Sequence, residues 1–443
     1  MSTKRNAIDP DDELLNELQR HSFSYFPAFV RPDNGLVLDS SQPSSPVSIA
    51  AVGFALTSYP VAVERGFMKR SVALAHTLRA LRFFAAADQT GAVDGVGFKG
   101  FFYHFLDPAS GRRAWKSELS TIDTAILVNG MLLAAQYFSG SSGTEREVRV
   151  LAETVYARVD WRWAQNGGAA IALGWSPEKG FFKQSWRGYN EALLLYVLAL
   201  GAPEYFVGPD AYAAWTSTFA WRRLYGHEVL YAGPLFIHQF SHVWIDLRGI
   251  ADAFMATRNA DYFENSRRAT YVQQQYAIRN PRGFAGYDEH GWGLTATNGP
   301  DLGKVKVHGR SHRTFGYRAR GAPFGPDDGT LAPWAQIASL PFAPELVLPA
   351  IRVLRERDGS GRARYGCHAS YNPSMRSGAN ESMWTSPWHY AINQGPIVVM
   401  IENHRTGLVW RLMRDCEPMR SGLLRAGFGG GWLREDPGPE SRC

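Results

Sequence analysis

The feature that most constrains this chain is an alternation of two kinds of helical segment. Stretches 46–60 (PVSIAAVGFALTSYP), 124–138 (TAILVNGMLLAAQYF) and 190–200 are apolar on every side, and 243–255, 331–340 and 391–403 are weaker examples. A helix apolar all round must be buried. Between them lie segments apolar on one face only. In EREVRVLAETVYARVDW, Val148, Leu151, Ala152, Val155, Tyr156 and Val159 follow the spacing of one helix face. Similar segments lie at about 13–26, 71–87, 209–224, 265–278 and 345–356. A chain that alternates the two kinds six times can bury the apolar helices as a ring and wrap the others around it. The fold expected is all-α, an (α/α)6 toroid related to stacked helix pairs. Strand signals are few and short, the clearest near 227–232. No internal repeat and no low-complexity linker is seen, so one domain is expected over 1–443.

In such a toroid the loops at one end of the inner helices surround a cavity. Long loops rich in Gly and aromatic residues occupy 91–118, 163–189, 283–330 and 359–388. Loops of that length in a compact protein usually serve function. The 14 Trp often neighbour Gly and polar residues, as in HQFSHVWID, DEHGWGLTATNGP and MWTSPWHY. An indole has an apolar face and a polar edge, which suits a sugar ring.

Charge excludes other classes. Lys+Arg 47 against Asp+Glu 41 gives +6, and no run of five basic residues occurs. HGRSHR at 308–313 comes nearest, so nucleic acid is not an expected partner. The scattered Cys367, Cys416 and Cys443 indicate neither a disulfide framework nor a zinc knuckle. The polar start MSTKRNAIDPDDELLNELQ has no secretory apolar core, and no apolar stretch reaches membrane-spanning length. A soluble cytoplasmic protein with no membrane partner is expected, or a periplasmic one if a leader has been trimmed.

The chemistry concentrates where loops meet inner helices. In SWRGYNEALLLYVLALGAP, Glu191 heads an apolar run that Gly201 and Pro203 terminate, with Trp186, Tyr189 and Asn190 upstream. A helix N-terminus lowers a carboxyl pKa, whereas burial raises it. Glu191 is either a general acid or a helix-end charge beside an Asn190 cap. KSELSTIDTAILVNG repeats the arrangement with Glu118 and Asp123, and Ser120 with Asp123 also fits a capping box. Two such junctions supply what glycoside hydrolysis needs: one acid to protonate the leaving oxygen, one carboxylate to activate water or attack. In DYFENSRRAT, Glu264 is a further candidate, or an ion-pairing residue behind an Asn265 or Ser266 cap.

HQFSHVWIDLRG places His238 and His242 four apart, able to share a metal. Asp246 is eight from His238, about 12 Å along a helix, too far to complete that site. No metal and no cofactor is expected; hydrogen bonding to a polar ligand or to the core is. Candidates for shaping sugar subsites are Trp186, Tyr189, His238, Trp244, Trp292 and Trp334. Gln239, His242, Asp246, Asn393 and Gln394 are candidates for polar contacts to the same ligand. Glu402, deep in an apolar segment, reads as a buried polar anchor.

Taken together, FFYHFLD, ELSTIDTA, YARVDWRW, GYNEALLLYVLALG, GPLFIHQFSHVWIDLRG, DYFENSRRAT, WGLTATNGP, DDGTLAP and NQGPIVVMIENHRTGLVW resemble the glucoamylase-like proteins of glycoside hydrolase family 144, collinearly from about residue 12 to about 430. The resemblance implies an (α/α)6 toroid and metal-independent, inverting hydrolysis of β-1,2-glucan to sophorooligosaccharides. It implies that Glu191, in the GYNE motif, is catalytic and that Asp123 belongs to the same acidic cleft; Glu118 is added from its proximity. Three positions depart from the family pattern: Asn298, Asn393 and Ala369 stand where Asp is usual. A β-1,2-glucan transglycosylase, an exo-acting relative or an inactive glucan-binding protein is therefore an open alternative.

Overall fold

The structure is a computed structural model and describes residues 10–358, 364–377 and 382–433. Its centre is the pair Ile49–Glu64 and Thr121–Tyr137, packed along their lengths. Nearly every side chain of both is buried, as helices apolar on every side must be. Glycine sets their separation. A Cβ on Gly130 would run into the Gly53 carbonyl, and a Cβ on Gly53 into that of Ile126. Ser48 and Ser120 start the two helices, their hydroxyls accepting from the N–H groups of Ala51 and Asp123.

Helix contacts close on themselves. Thr121–Tyr137 packs on Leu193–Gly201, that on Phe240–Trp244, that on Ala391–Arg405, and Ala391–Arg405 on Ile49–Glu64. Pro333–Ala338 packs on Ala391–Arg405, and Trp334 meets Phe240 with ring centroids 6.1 Å apart. Around this circuit lie Pro10–Phe23, Arg70–Ala85, Gly143–Ala157, Pro209–Thr216, Tyr262–Arg279 and Pro344–Asp358. Glu417–Arg425, not foreseen from the sequence, covers Leu193–Gly201 and brings the Pro418 carbonyl against Gly201. One connected cluster of buried apolar residues extends from Leu14 to Leu433. Among the described residues no helix is long and apolar enough to cross a membrane.

Three expectations are corrected. The helix expected at 243–255 is Phe240–Trp244; the chain turns extended at Ile245, and Gly249 adopts φ 70°, a left-handed conformation natural to glycine. The segment 209–224 is helical only to Thr216, and Trp221–Leu224 pairs instead with His227–Leu230 as a hairpin. The helix expected to begin at 190 begins at Leu193, because Asn190 Oδ1 accepts the Ala192 N–H at 3.1 Å and ties down the preceding turn.

A five-stranded antiparallel sheet lies over one end of the circuit. Its strands are Gly97–Phe98, Phe101–Tyr103, Leu119–Ser120, Gly174–Ser176 and Gly180–Phe181, paired in that order. It brings His104, just after one strand, beside Glu118, just before the next; the His104 N–H donates to the Glu118 carbonyl at 2.9 Å.

Candidate active site

A cavity of about 620 Å³ opens at the end of the circuit where Thr121–Tyr137, Leu193–Gly201 and Ala391–Arg405 begin. Four carboxylates line it: Asp39, Glu118, Asp123 and Glu191. Trp186, Phe236, Phe240 and Trp334 give it apolar walls, and Asn298, Tyr317, Tyr390 and Asn393 polar ones. The volume falls in the range of a small-molecule site.

Glu191 is held from behind. Ser241 Oγ donates to the Glu191 carbonyl and accepts the N–H of Leu194, both at 3.3 Å. Asn190 Oδ1 accepts the Trp215 indole N–H at 2.9 Å. Trp186 Nε1 donates to Thr121 Oγ1 at 2.9 Å, and Tyr196 Oη to the Trp186 carbonyl at 2.7 Å. Burial against this apolar shell, together with the charge of Asp123, pushes the Glu191 carboxyl up to about 7. Of the two opposed effects weighed above, burial therefore exceeds the helix end, whose first helical residue lies beyond Glu191.

Glu118 and Asp123 face a different neighbour. His104 Nδ1 is 2.9 Å from Glu118 Oε1 and its Nε2 is 3.5 Å from Asp123 Oδ2. Burial disfavours charge on the imidazole, but Asp123, Glu118 and Asp39 outweigh it and raise its pKa to about 9. Burial would likewise raise Glu118, yet the hydrogen bond and charge of His104 bring it below the usual carboxylate range. Asp123 accepts the Ser120 hydroxyl at 2.6 Å while its N–H donates to Ser120 Oγ at 3.2 Å, the serine half of the expected capping box. The three side chains present ligand atoms within 4.8 Å of one another. A divalent cation could enter only by displacing the imidazole proton. The imidazole stacks on Phe105 at 3.9 Å, and Phe105 lies 5.2 Å from the exposed Trp115.

Of the residues expected to contact sugar, Trp186, Trp334 and Asn393 line the cavity. The Trp334 N–H is buried without a protein acceptor among the described residues. Asn298 also lines the cavity, its amide donating to Tyr390 Oη. Ala369 lies outside it, fully buried in the strand-like stretch that pairs with Trp388. Parts of the 359–388 loop, 359–363 and 378–381, lie outside the described residues, as does Cys443.

The other expected residues are placed elsewhere, and each has a structural occupation. Glu264 sits on Tyr262–Arg279, its N–H on the Asp261 cap and its carboxylate 2.9 Å from Arg268; the cap is Asp261, not Asn265 or Ser266. His238 bridges Tyr189 Oη at 3.3 Å and the Ala232 carbonyl at 3.2 Å. His242 bonds Ser266 Oγ at 3.0 Å. A break at Gln239 puts the two histidines on separate short helices, and burial pushes both well below the usual range, to about 4 and about 3. Gln239 donates to Ser339 Oγ at 2.8 Å, Gln394 to the Cys367 carbonyl at 2.8 Å, and Trp244 to Thr57 Oγ1 at 3.0 Å. Asp246 pairs with Arg248 at 2.7 Å and with Arg414. Trp292 is buried at 1% exposure away from the cavity. Glu402 is the anchor expected, paired with Arg65 at 2.6 Å.

Asp39, His104, Tyr317 and Tyr390 were missed. Asp39 stands in the loop ten residues before Ile49–Glu64, whereas Glu191 lies two before its helix and Asp123 within the first turn of its own, so no local signal marks it.

The fold is a closed circuit of helices with an acid-lined cavity at one end, and comparison with known proteins gives it a family. The chain belongs to the Glycoamylase family, described as "putative glucoamylase", whose model matches residues 183–417. A crystal structure from Bacteroides uniformis bearing the same description superposes with a TM-score of 0.84 at 29% identity, covering 97% of this chain and 100% of that one. An endo-β-1,2-glucanase from Chitinophaga pinensis, solved with sophorotriose and glucose, gives a TM-score of 0.80 at 26% identity, covering 96% and 100%. An exo β-1,2-glucooligosaccharide sophorohydrolase (non-reducing end) of Parabacteroides distasonis is 27% identical over 450 residues, 94% of this chain. The chain spans 58% of that relative's length.

Proposed function

We propose that this chain is an (α/α)6-toroidal glycoside hydrolase that cleaves β-1,2-glucosidic bonds in β-1,2-glucan or sophorooligosaccharides. The closed circuit of helices supports the toroid, and the glucan-cleaving relatives support the substrate. The observation that carries the reaction is the divergence of carboxylates within one cavity. Glu191 keeps its proton near neutrality while Glu118, beside a charged His104, has lost its own. A carboxyl that keeps its proton beside carboxylates that have lost theirs is suited to act as the acid.

Glu191 protonates the glycosidic oxygen as the C1–O bond breaks, and a water, deprotonated on the other side of the ring, attacks C1 with inversion. Asp123 and Glu118 belong to the acidic wall that stabilises positive charge on the sugar. Trp186 and Trp334 supply apolar faces for the rings, and Asn393 and Asn298 amide donors for hydroxyls. No step requires a cofactor.

The test is incubation of the purified protein with linear β-1,2-glucan, with β-1,3- and β-1,4-glucans as comparisons. New reducing ends and short sophorooligosaccharides from the β-1,2 polymer alone are expected. Redistribution of chain lengths without new ends would replace the hydrolase with a transferase, and binding without products would leave a glucan-binding protein.

A further inference from the structure

Three of the four carboxylates in the cavity have been given work, and the fourth has not. Asp39 lies in a stretch tied to the start of Ala391–Arg405: Ser40 bridges Tyr390, the Ala391 N–H donates to the Asp39 carbonyl at 3.0 Å, and the Ser41 N–H to the His389 carbonyl at 2.9 Å. Its own N–H donates to the Pro46 carbonyl at 2.8 Å. The backbone of Asp39 is thereby fixed on both sides. Its side chain faces the cavity, and among the described residues its carboxylate accepts no hydrogen bond.

That distinguishes it from its neighbours. Glu118 accepts from His104, and Asp123 accepts from Ser120 and lies beside the same imidazole. Carboxylates whose oxygens already receive protons from fixed donors are weaker proton acceptors. Asp39 has free lone pairs, and no fixed donor must be broken before it takes a proton. It also stands on a different wall from Glu191. Glu191 precedes Leu193–Gly201, whereas Asp39 lies between Ala391–Arg405 and Ile49–Glu64, two helices away around the circuit. An inverting hydrolase needs its acid and base on opposite faces of the sugar with a water between.

Resting on the hydrolase reading above, we propose that Asp39 is the general base that deprotonates the attacking water. The water oxygen forms the new bond to C1 as its proton passes to Asp39. The C1–O bond to the leaving sugar breaks, and its oxygen takes the proton of Glu191. Solvent then returns a proton to Glu191 and removes one from Asp39. The groups facing Asp39 suit it to this work. Burial raises its pKa, His104 lowers it and Asp123 raises it, leaving it at about 6, near the working range of a base at neutral pH. Tyr390, whose own pKa burial and Asp39 push up to about 12, stays neutral beside it.

The experiment compares the parent with Asp39→Asn and Asp39→Ala on a β-1,2-linked oligosaccharide, with and without sodium azide. The expected result is a fall in kcat of about 10²–10⁴-fold with little change in oligosaccharide binding. Azide should restore turnover in Asp39→Ala, releasing a glycosyl azide of inverted configuration, because the anion needs no base. Circular dichroism and binding to the oligosaccharide show that the variants are folded. Undiminished turnover in Asp39→Asn would overturn the assignment, as would a loss in folded Asp39→Ala that azide does not relieve. A parent inactive on every β-1,2-glucan would overturn the hydrolase reading itself, a separate and recognisable failure.

Discussion

His104 Nδ1 stands 2.9 Å from Glu118 Oε1, and with Asp123 at the other ring nitrogen this contact keeps the imidazole charged. The imidazole is held charged to about 9, so at neutral pH it is a cation among Glu118, Asp123 and Asp39. His104→Gln keeps a donor but removes the charge. With that cation gone, Asp39 and Glu118 bind protons more readily, so the acidic limb of the pH–rate profile moves to higher pH. We expect kcat relative to the parent to be about tenfold or more lower at pH 6 and to approach the parent value toward pH 8, a shift that a purely structural role would not produce. A pH–rate profile of the variant checks it.

The parent enzyme should show a bell. The acid must carry its proton, so activity falls above about 7, where Glu191 ionises. The base must have lost its proton, so activity falls below about 6, where Asp39 becomes protonated. The two carboxyls share a field with Asp123, so the limbs report the cluster rather than either residue alone. Initial rates between pH 4 and 9 should peak between the two values; a plateau extending past pH 9 would contradict the acid assignment.

The helix pair beneath the cavity is testable through its glycines. Gly130→Ala forces a methyl against the Gly53 carbonyl in a place where backbone, not a flexible side chain, must yield. Overpacking of this kind costs roughly 1–3 kcal/mol. Denaturant unfolding should show that loss. Because Asp123 rides on the same helix, kcat should fall with it.

These effects show where sequence was a sufficient guide. Ile49–Glu64 and Thr121–Tyr137 were legible because a helix apolar on every side has only one place to go. Ser120 and Asp123 were legible because a cap is a local interaction. Asp39 and His104 were not found, since they lie in irregular stretches whose mutual approach depends on the sheet and on Ala391–Arg405, far away in the chain. His238, His242 and Trp244 were over-read for the opposite reason. An aromatic or histidine beside polar residues looks the same in sequence whether it meets a ligand or, as here, Tyr189, Ser266 and Thr57. Only the tertiary neighbours tell the two apart.

Keeping Glu191 buried costs stability at high pH, and the sign is definite. Its folded value, about 7, lies above its ordinary 4.5. A carboxyl of this kind favours the folded state at low pH and loses that advantage as pH rises through the folded value. Glu191→Gln removes the ionisation, so relative to the parent the variant should gain on the order of 2 kcal/mol between pH 4 and pH 8. Thermal unfolding at the two pH values measures it; an unchanged difference in Tm would mean that Glu191 is not held protonated.

The most direct measurement is turnover of linear β-1,2-glucan by the parent and by Glu191→Gln, followed through reducing ends and product sizes. Removal of the general acid should lower kcat by about 10²–10⁴-fold while glucan binding survives. Equal turnover by the two proteins would contradict the role given to Glu191 and, with it, the chemistry assigned to the cavity.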